Sequence, residues 1–281
     1  MHCSCHGPSF LRWPCGSWPF APHLLRPSSA QPRKNGQPKA CIYHASMLKI
    51  ACKPVSMWCG PMRVWSIVSQ KGGSGKTTLA LHLAIAATSK GRKTLVIDLD
   101  PQVSAERWSE LRDEAEPAIV AGEPERLGDM LRVAAENGAD LVIIDTPPKS
   151  DRTTLIAAKA ADLVLIPSRG TILDLQAIGD TVNLLKLASL DGRAAIVLNA
   201  MPTTAAQVKE VKEAAAEYGL DIIPARLAER VSFSRSLMEG QGVTETEPKS
   251  RAAGEIWDVY KRLCERDATP SRARMSERVG R

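Results

Sequence analysis

The chain has 281 residues, 24% of them charged, with a formal net charge of +6. No apolar stretch reaches the roughly 18 to 20 residues of a membrane span and no secretory apolar core is visible, so the sequence reads as a cytoplasmic protein without a membrane partner. The basicity is local: residues 1–61 hold seven Lys or Arg and no Asp or Glu, so they contribute +7 and residues 62–281 sum to −1, which removes any argument from overall charge to nucleic acid.

The first segment also carries six of the seven cysteines and four of the five histidines. Cys3, Cys5, Cys15, Cys41, Cys52 and Cys59 lack the paired spacing of a structural zinc site. Frequent Pro, Trp and Cys without amphipathic period fit an organelle-targeting leader poorly. Met62 followed directly by the strand-like Arg63-Val64-Trp65-Ser66-Ile67-Val68 looks like a natural beginning. Residues 1–61 are therefore expected to be a disordered extension or the product of an upstream start codon, and residues 62–281 one domain.

From Met62 the chain alternates short aliphatic runs with segments of helical period. Strands are expected over 64–69, 94–98, 141–145, 163–167, 194–199 and 220–223. Helices are expected over 77–89, 105–115, 124–137, 173–190, 205–218, 232–238 and 252–265. Continuously apolar strands between helices predict a three-layer α/β fold, with a mainly parallel twisted sheet flanked by helices on both faces. Ligands then belong at the carboxyl ends of the strands.

The first such end carries Lys71-Gly72-Gly73-Ser74-Gly75-Lys76-Thr77-Thr78. Wrapping phosphate oxygens in converging N–H donors needs residues without side chains, which Gly72, Gly73 and Gly75 supply. Lys76 is placed to reach the β- and γ-phosphates and the Thr77 hydroxyl to reach Mg²⁺, with Ser74 and Thr78 completing the cradle at a helix N-terminus. The general phosphate-loop pattern asks for glycine at position 70, but this chain has Gln70 and then a second lysine, Lys71. Asp145 ends an apolar strand before Thr146-Pro147-Pro148, the place for a carboxylate that holds a magnesium ligand; taken alone it would be an ordinary strand terminator.

The early lysine is the deviant Walker A pattern, and on it residues 62 to about 265 resemble the ParA/MinD family of P-loop ATPases. The resemblance implies a P-loop NTPase fold, ATP and Mg²⁺ as ligands, and an ATP-bound homodimer in which Lys71 touches the partner's nucleotide. It further implies that Asp100, in Asp98-Leu99-Asp100-Pro101-Gln102, positions the attacking water or the metal, with Asp98 more structural. Asn199 resembles the adenine-reading asparagine, with Pro224 and the residues after it flanking the base from the other side; a buried Asn capping the sheet is the alternative. Lys71, Lys76 and Asp100 are thus the catalytic candidates, and Thr77, Asp145 and Asp100 the metal candidates. Arg226, Arg230 and Arg235 are candidate contacts to non-specific DNA, with plain surface arginines the competing reading.

Absences narrow the family. Only Cys264 remains in the body, three Tyr occur in all, the tail Thr269-Pro270-Ser271-Arg272-Ala273-Arg274-Met275-Ser276 is not an amphipathic anchor, and residues 1–61 show no helix-turn-helix period. The small, repressor-less ParA type remains: an ATPase that segregates plasmid or chromosomal DNA with a ParB-like activator. A positioning ATPase for another cargo, such as a chemoreceptor array or secretion or cellulose synthase machinery, is the alternative. A P-loop ligase or synthetase is the third reading. Intrinsic turnover is expected to be slow, since neither a water-activating base beside Asp100 nor an arginine finger within the chain is visible in the sequence.

Overall fold

The computed structural model describes residues 60–268 apart from Thr171 and Thr203. The expectations placed on the Cys- and His-bearing residues 2–59 and on the tail at 269–276 lie outside the described residues.

Among the described residues, seven strands form one parallel sheet: β1 Arg63–Ile67, β2 Thr94–Asp98, β3 Ala118–Ala121, β4 Leu141–Asp145, β5 Leu163–Ser168, β6 Ala194–Met201 and β7 Asp221–Ala228. Their order is β3-β2-β4-β1-β5-β6-β7, so β1 lies at the centre and the chain builds outward on both sides of it. The helices are α1 Lys76–Ser89, α2 Ser104–Ser109, α3 Leu127–Glu136, α4 Asp151–Ala160, α5 Ile172–Leu187, α6 Ala205–Ala216, α7 Val231–Met238, α8 Val243–Thr246 and α9 Arg251–Ala268.

Strand alternation sorts the apolar side chains into two cores. Trp65, Ile67, Val96, Ile143, Leu165 and Val197 pack with α1, α7 and α9 on one face, and Val64, Leu95, Ile97, Val142, Ile144, Val164 and Ile196 pack with α3 to α6 on the other. Trp65 is fully buried, with its ring centroid 6.1 Å from that of Tyr260 on α9 and the Arg92 guanidinium 5.9 Å from it. A side chain of that size buried from water contributes about 2 to 3 kcal/mol, so it ties the last helix to the central strand.

The structure departs from the pattern reading in four places. The helix expected over 105–115 is only Ser104–Ser109, and the edge strand β3 follows it after Pro117, whose peptide bond to Glu116 is cis. The turn-forming acids at 110–116 end the helix early, and four residues are too short for a clear strand pattern. Helix α4 was not expected: its inward positions include Thr153 and Thr154, which blur the apolar period, although Ser150 caps it by accepting the Thr153 N–H. The last strand runs on through Pro224 to Ala228, because β7 is an edge strand whose outer side needs no N–H. Helix α8 spans four residues, below the length a periodicity can mark.

One buried histidine joins three helices. His82 on α1 is 1% exposed; its Nε2 lies 3.2 Å from the Phe233 carbonyl of α7 and its Nδ1 accepts the Val243 N–H of α8 at 3.4 Å. Only a neutral ring donates at one nitrogen and accepts at the other. Burial pushes its pKa down to about 4, against the raising effects of the Phe233 carbonyl and Glu245. The unfolded ring titrates near 6.5, so this contribution is complete above about pH 6.5 and is lost as pH falls towards 4, up to about 3 kcal/mol in all. Urea midpoints should therefore drop between pH 7 and pH 5 more steeply in the wild type than in His82→Gln; equal slopes would contradict the assignment.

Candidate phosphate and metal site

The loop from Ser69 to Gly75 joins the carboxyl end of β1 to α1. Gly75 caps the helix at φ +88°, a left-handed conformation that disfavours side chains, and a Cβ there would run into the Asn199 amide nitrogen. Asn199 itself, near the end of β6, donates from Nδ2 to the Ser74 carbonyl at 2.8 Å and so holds the loop against the sheet. Gln70, standing where the general pattern has glycine, donates its backbone N–H to Thr181 Oγ1 at 3.3 Å and its side-chain amide to Asp151 Oδ1 at 2.7 Å. The loop thus starts from a position fixed on α4 and α5.

Lys76 opens α1 with 7% of its surface exposed, and its Nζ donates to the Lys71 carbonyl at 3.3 Å. Burial lowers its pKa, while the Asp145 and Asp100 charges oppose the shift. Next to it, Thr77 Oγ1 donates to Asp145 Oδ2 at 2.6 Å. Asp145 is fully buried, and among the described residues its Oδ1 has no hydrogen-bond partner. Burial raises its pKa to about 7, helped by Asp98 and Asp100 and resisted by the Thr77 hydrogen bond and Lys76.

An orphaned carboxylate oxygen beside a hydroxyl at the foot of a phosphate loop fits a hard divalent cation. Among the described residues no group of three or more His, Cys, Asp or Glu is arranged to hold a metal. Mg²⁺ here would be held through Asp145 and Thr77, with phosphate oxygens and water completing its shell.

Asp98 is 1% exposed and accepts N–H groups from Asp100 at 2.9 Å, Ala105 at 2.8 Å and Glu106 at 3.4 Å. It therefore fixes the turn and the first residues of α2. Asp100 Oδ1 accepts the Gln102 N–H at 3.0 Å, and its charge opposes the lowering of the Lys76 pKa and adds to the raising of that of Asp145.

Lys71, by contrast, turns away from the cradle. Its Nζ lies 2.7 Å from Asp174 Oδ1 in the first turn of α5, where the Asp174 side chain is 2% exposed and that of Lys71 32%. Asp174 gave no signal in the sequence, being one acid in a helical segment. Arg169 was also missed, although the rule that ligands gather at strand carboxyl ends points to it: it follows β5 directly, and its Nη1 donates to the Gly73 carbonyl at 3.4 Å.

Pro224 and the arginines are not gathered here. Leu198 pairs with Arg226, so Pro224 lies further back along β7, in a groove with Val208, Lys212, Arg226, Arg251 and Glu255 rather than with the loop. Ala228, Glu229, Arg230 and Val231 instead face Gly75 and Asn199 across a cavity of about 360 Å³. Arg230 is paired with Glu255 at 2.7 Å, Arg226 donates to the Pro202 carbonyl at 3.3 Å, and Arg235 is exposed on α7. Ile223, Ala225 and Leu227 point to the α9 side, and alternation turns Arg226 away from them into a groove also lined by Glu255, the partner of Arg230.

The family model described as "CobQ/CobB/MinD/ParA nucleotide binding domain" matches residues 65–243, well over half the chain and including every loop just described. The chain belongs to the CobQ/CobB/MinD/ParA family. One relative within it, "Maintenance of carboxysome distribution protein A" of Gloeobacter kilaueensis, is 32% identical over 205 residues, covering 72% of this chain and 93% of that protein. The "Chromosome partitioning protein ParA" of Myxococcus xanthus is 34% identical over 152 residues, 39% of this chain and 53% of that one. The structure of a Cyanothece McdA variant in complex with ATP covers 73% of this chain and 97% of its own at a TM-score of 0.58 and 20% identity, a likeness of fold. The seven-stranded parallel sheet with helices on both faces is thus the P-loop fold of this ParA/MinD family, and among the described residues no helix is long and apolar enough to cross a membrane.

Proposed function

We propose that this ParA/MinD family member is an ATP-hydrolysing positioning protein that cycles between monomer and ATP-bound homodimer. The observation that carries this reading is the pair of lysines on one loop, Lys76 buried at the cradle and Lys71 outside it on Asp174. Lys76 and the loop N–H groups bind and orient the phosphates, Asp145 and Thr77 hold the metal ligand shell, and Asp100 positions the attacking water. Mg²⁺, when bound, supplies neutralisation of the phosphate charge. Asn199 and the residues at 228–231 form the walls available to the adenosine end.

The cargo reading favoured is a protein assembly, supported by the relative named for carboxysome distribution, which this chain matches over nearly that protein's whole length. Partition of plasmid or chromosomal DNA with a ParB-like activator is the second reading, supported by the Myxococcus relative. Both use non-specific DNA as the track. With residues 62–281 at net −1, the DNA contact must be a local patch, and the groove of Lys212, Arg226 and Arg251, which Glu255 and Asp258 also line, offers three cations to it. Residues 1–61 are proposed to be dispensable for all of this. Full-length protein and a form starting at Met62 should both be retained on random-sequence DNA with ATP and Mg²⁺, in a salt-dependent way, and released with ADP; no retention at low salt with any nucleotide contradicts the DNA track.

A further inference from the structure

We propose that Arg169 is a phosphate-binding residue of the nucleotide site, held in reserve by Glu229; this rests on the nucleotide reading above. Arg169 is the first residue beyond β5, the strand beside β1, so its backbone is fixed at the carboxyl edge from which the phosphate loop also springs. Its side chain lies on the wall shared by two cavities. One, of about 390 Å³, is lined by Lys71, Gly72, Gly73, Asp174 and Glu229; the other is the cavity of Ser74, Gly75 and Asn199. Arg169 is therefore reachable both from the cradle and from the side where Lys71 waits.

Its two contacts among the described residues are weak. Nη1 reaches the Gly73 carbonyl and Nη2 reaches Glu229 Oε1, each at 3.4 Å, the long limit of hydrogen bonding. The side chains are 40% and 73% exposed, so water screens the pair and it contributes little to stability. Lys71 differs on every count: its acid is buried and only 2.7 Å away. A guanidinium this loosely held, next to a loop built for a multiply charged anion, exchanges a lone surface carboxylate for phosphate oxygens that its planar fork matches with two donors. Glu229 then acts as a competitor: it occupies Arg169 while the cradle lacks phosphate and repels the incoming charge.

The two residues should therefore act with opposite sign, which a merely bracing pair would not. Calorimetric titration of the full chain with ATP and Mg²⁺ is expected to show Arg169→Ala weakening binding about tenfold, the scale of one charge-assisted phosphate contact. Adenosine binding should be left unchanged. Arg169→Lys should recover part of the loss, Glu229→Gln should tighten binding several-fold, and the gain should vanish in the Arg169→Ala, Glu229→Gln double variant. Wild-type affinity in Arg169→Ala, or equal weakening by Arg169→Ala and Glu229→Gln, would overturn the assignment while leaving the nucleotide reading intact. A wild-type chain that binds no ATP would overturn both.

Discussion

Lys76→Ala should weaken ATP binding or hydrolysis by about 100-fold or more, because it removes a positioned cation from a water-poor cradle. The expectation rests on geometry: Lys76 is 7% exposed at the first residue of α1, held toward the loop by the Lys71 carbonyl, and faces the Asp145 and Asp100 charges. Burial disfavours its charged form, so the side chain stands ready to gain from an anion that restores a counter-charge. Isothermal titration with ATP and Mg²⁺, and phosphate release at saturating ATP, measure the two parts. An unchanged affinity together with an unchanged rate would mean that the loop is not the nucleotide cradle.

Lys71→Ala should behave differently. Its Nζ is held on Asp174 and makes no contribution to the cradle of its own subunit, so ATP affinity should stay within about twofold of wild type. Hydrolysis should nevertheless fall by about 100-fold or more, the scale lost when one preorganised cation at a developing phosphate charge is deleted. The split follows from where the charge acts. A lysine that left its 2.7 Å contact with a buried carboxylate only to face water would lose by the exchange, so a phosphate of comparable charge has to replace it. In the sandwich dimer that phosphate belongs to the other subunit. Loss of affinity in Lys71→Ala equal to that in Lys76→Ala would place both lysines at one subunit's nucleotide and remove the argument for the dimer.

Most of this candidate site is legible in the sequence, because its chemistry depends on backbone and spacing. A glycine-rich turn between an apolar strand and a helix, followed by Lys76 and Thr77, fixes donors relative to one another within a few residues, and Asp145 lies where a parallel strand must end. The partners that sequence left out are those brought in by register across the sheet: Asp174 and Arg169 from the β5–α5 connection, and Glu229 with its neighbours from the end of β7. Arg169 alone carries a local mark, its place directly after β5; Asp174 and Glu229 carry none. Pro224 lies inside β7 rather than beyond it, because the strand expected over 220–223 continues on the sheet edge to Ala228. Helix α4 was hidden by inward threonines, and β3 by its brevity. Spacing along the chain did not show that Arg230 is paired with Glu255 and that Arg226 donates to the Pro202 carbonyl, while Arg235 is exposed on α7.

The central claim, that Lys71 acts on the nucleotide of a second subunit, is tested most directly by light-scattering mass measurement of wild type and Lys71→Ala with ATP and Mg²⁺. The account predicts that the wild type moves from its monomer mass of 30.4 kDa to about twice that value, while Lys71→Ala binds ATP and stays monomeric or forms a dimer that does not hydrolyse it. A Lys71→Ala protein that dimerises and hydrolyses ATP as the wild type does would contradict it.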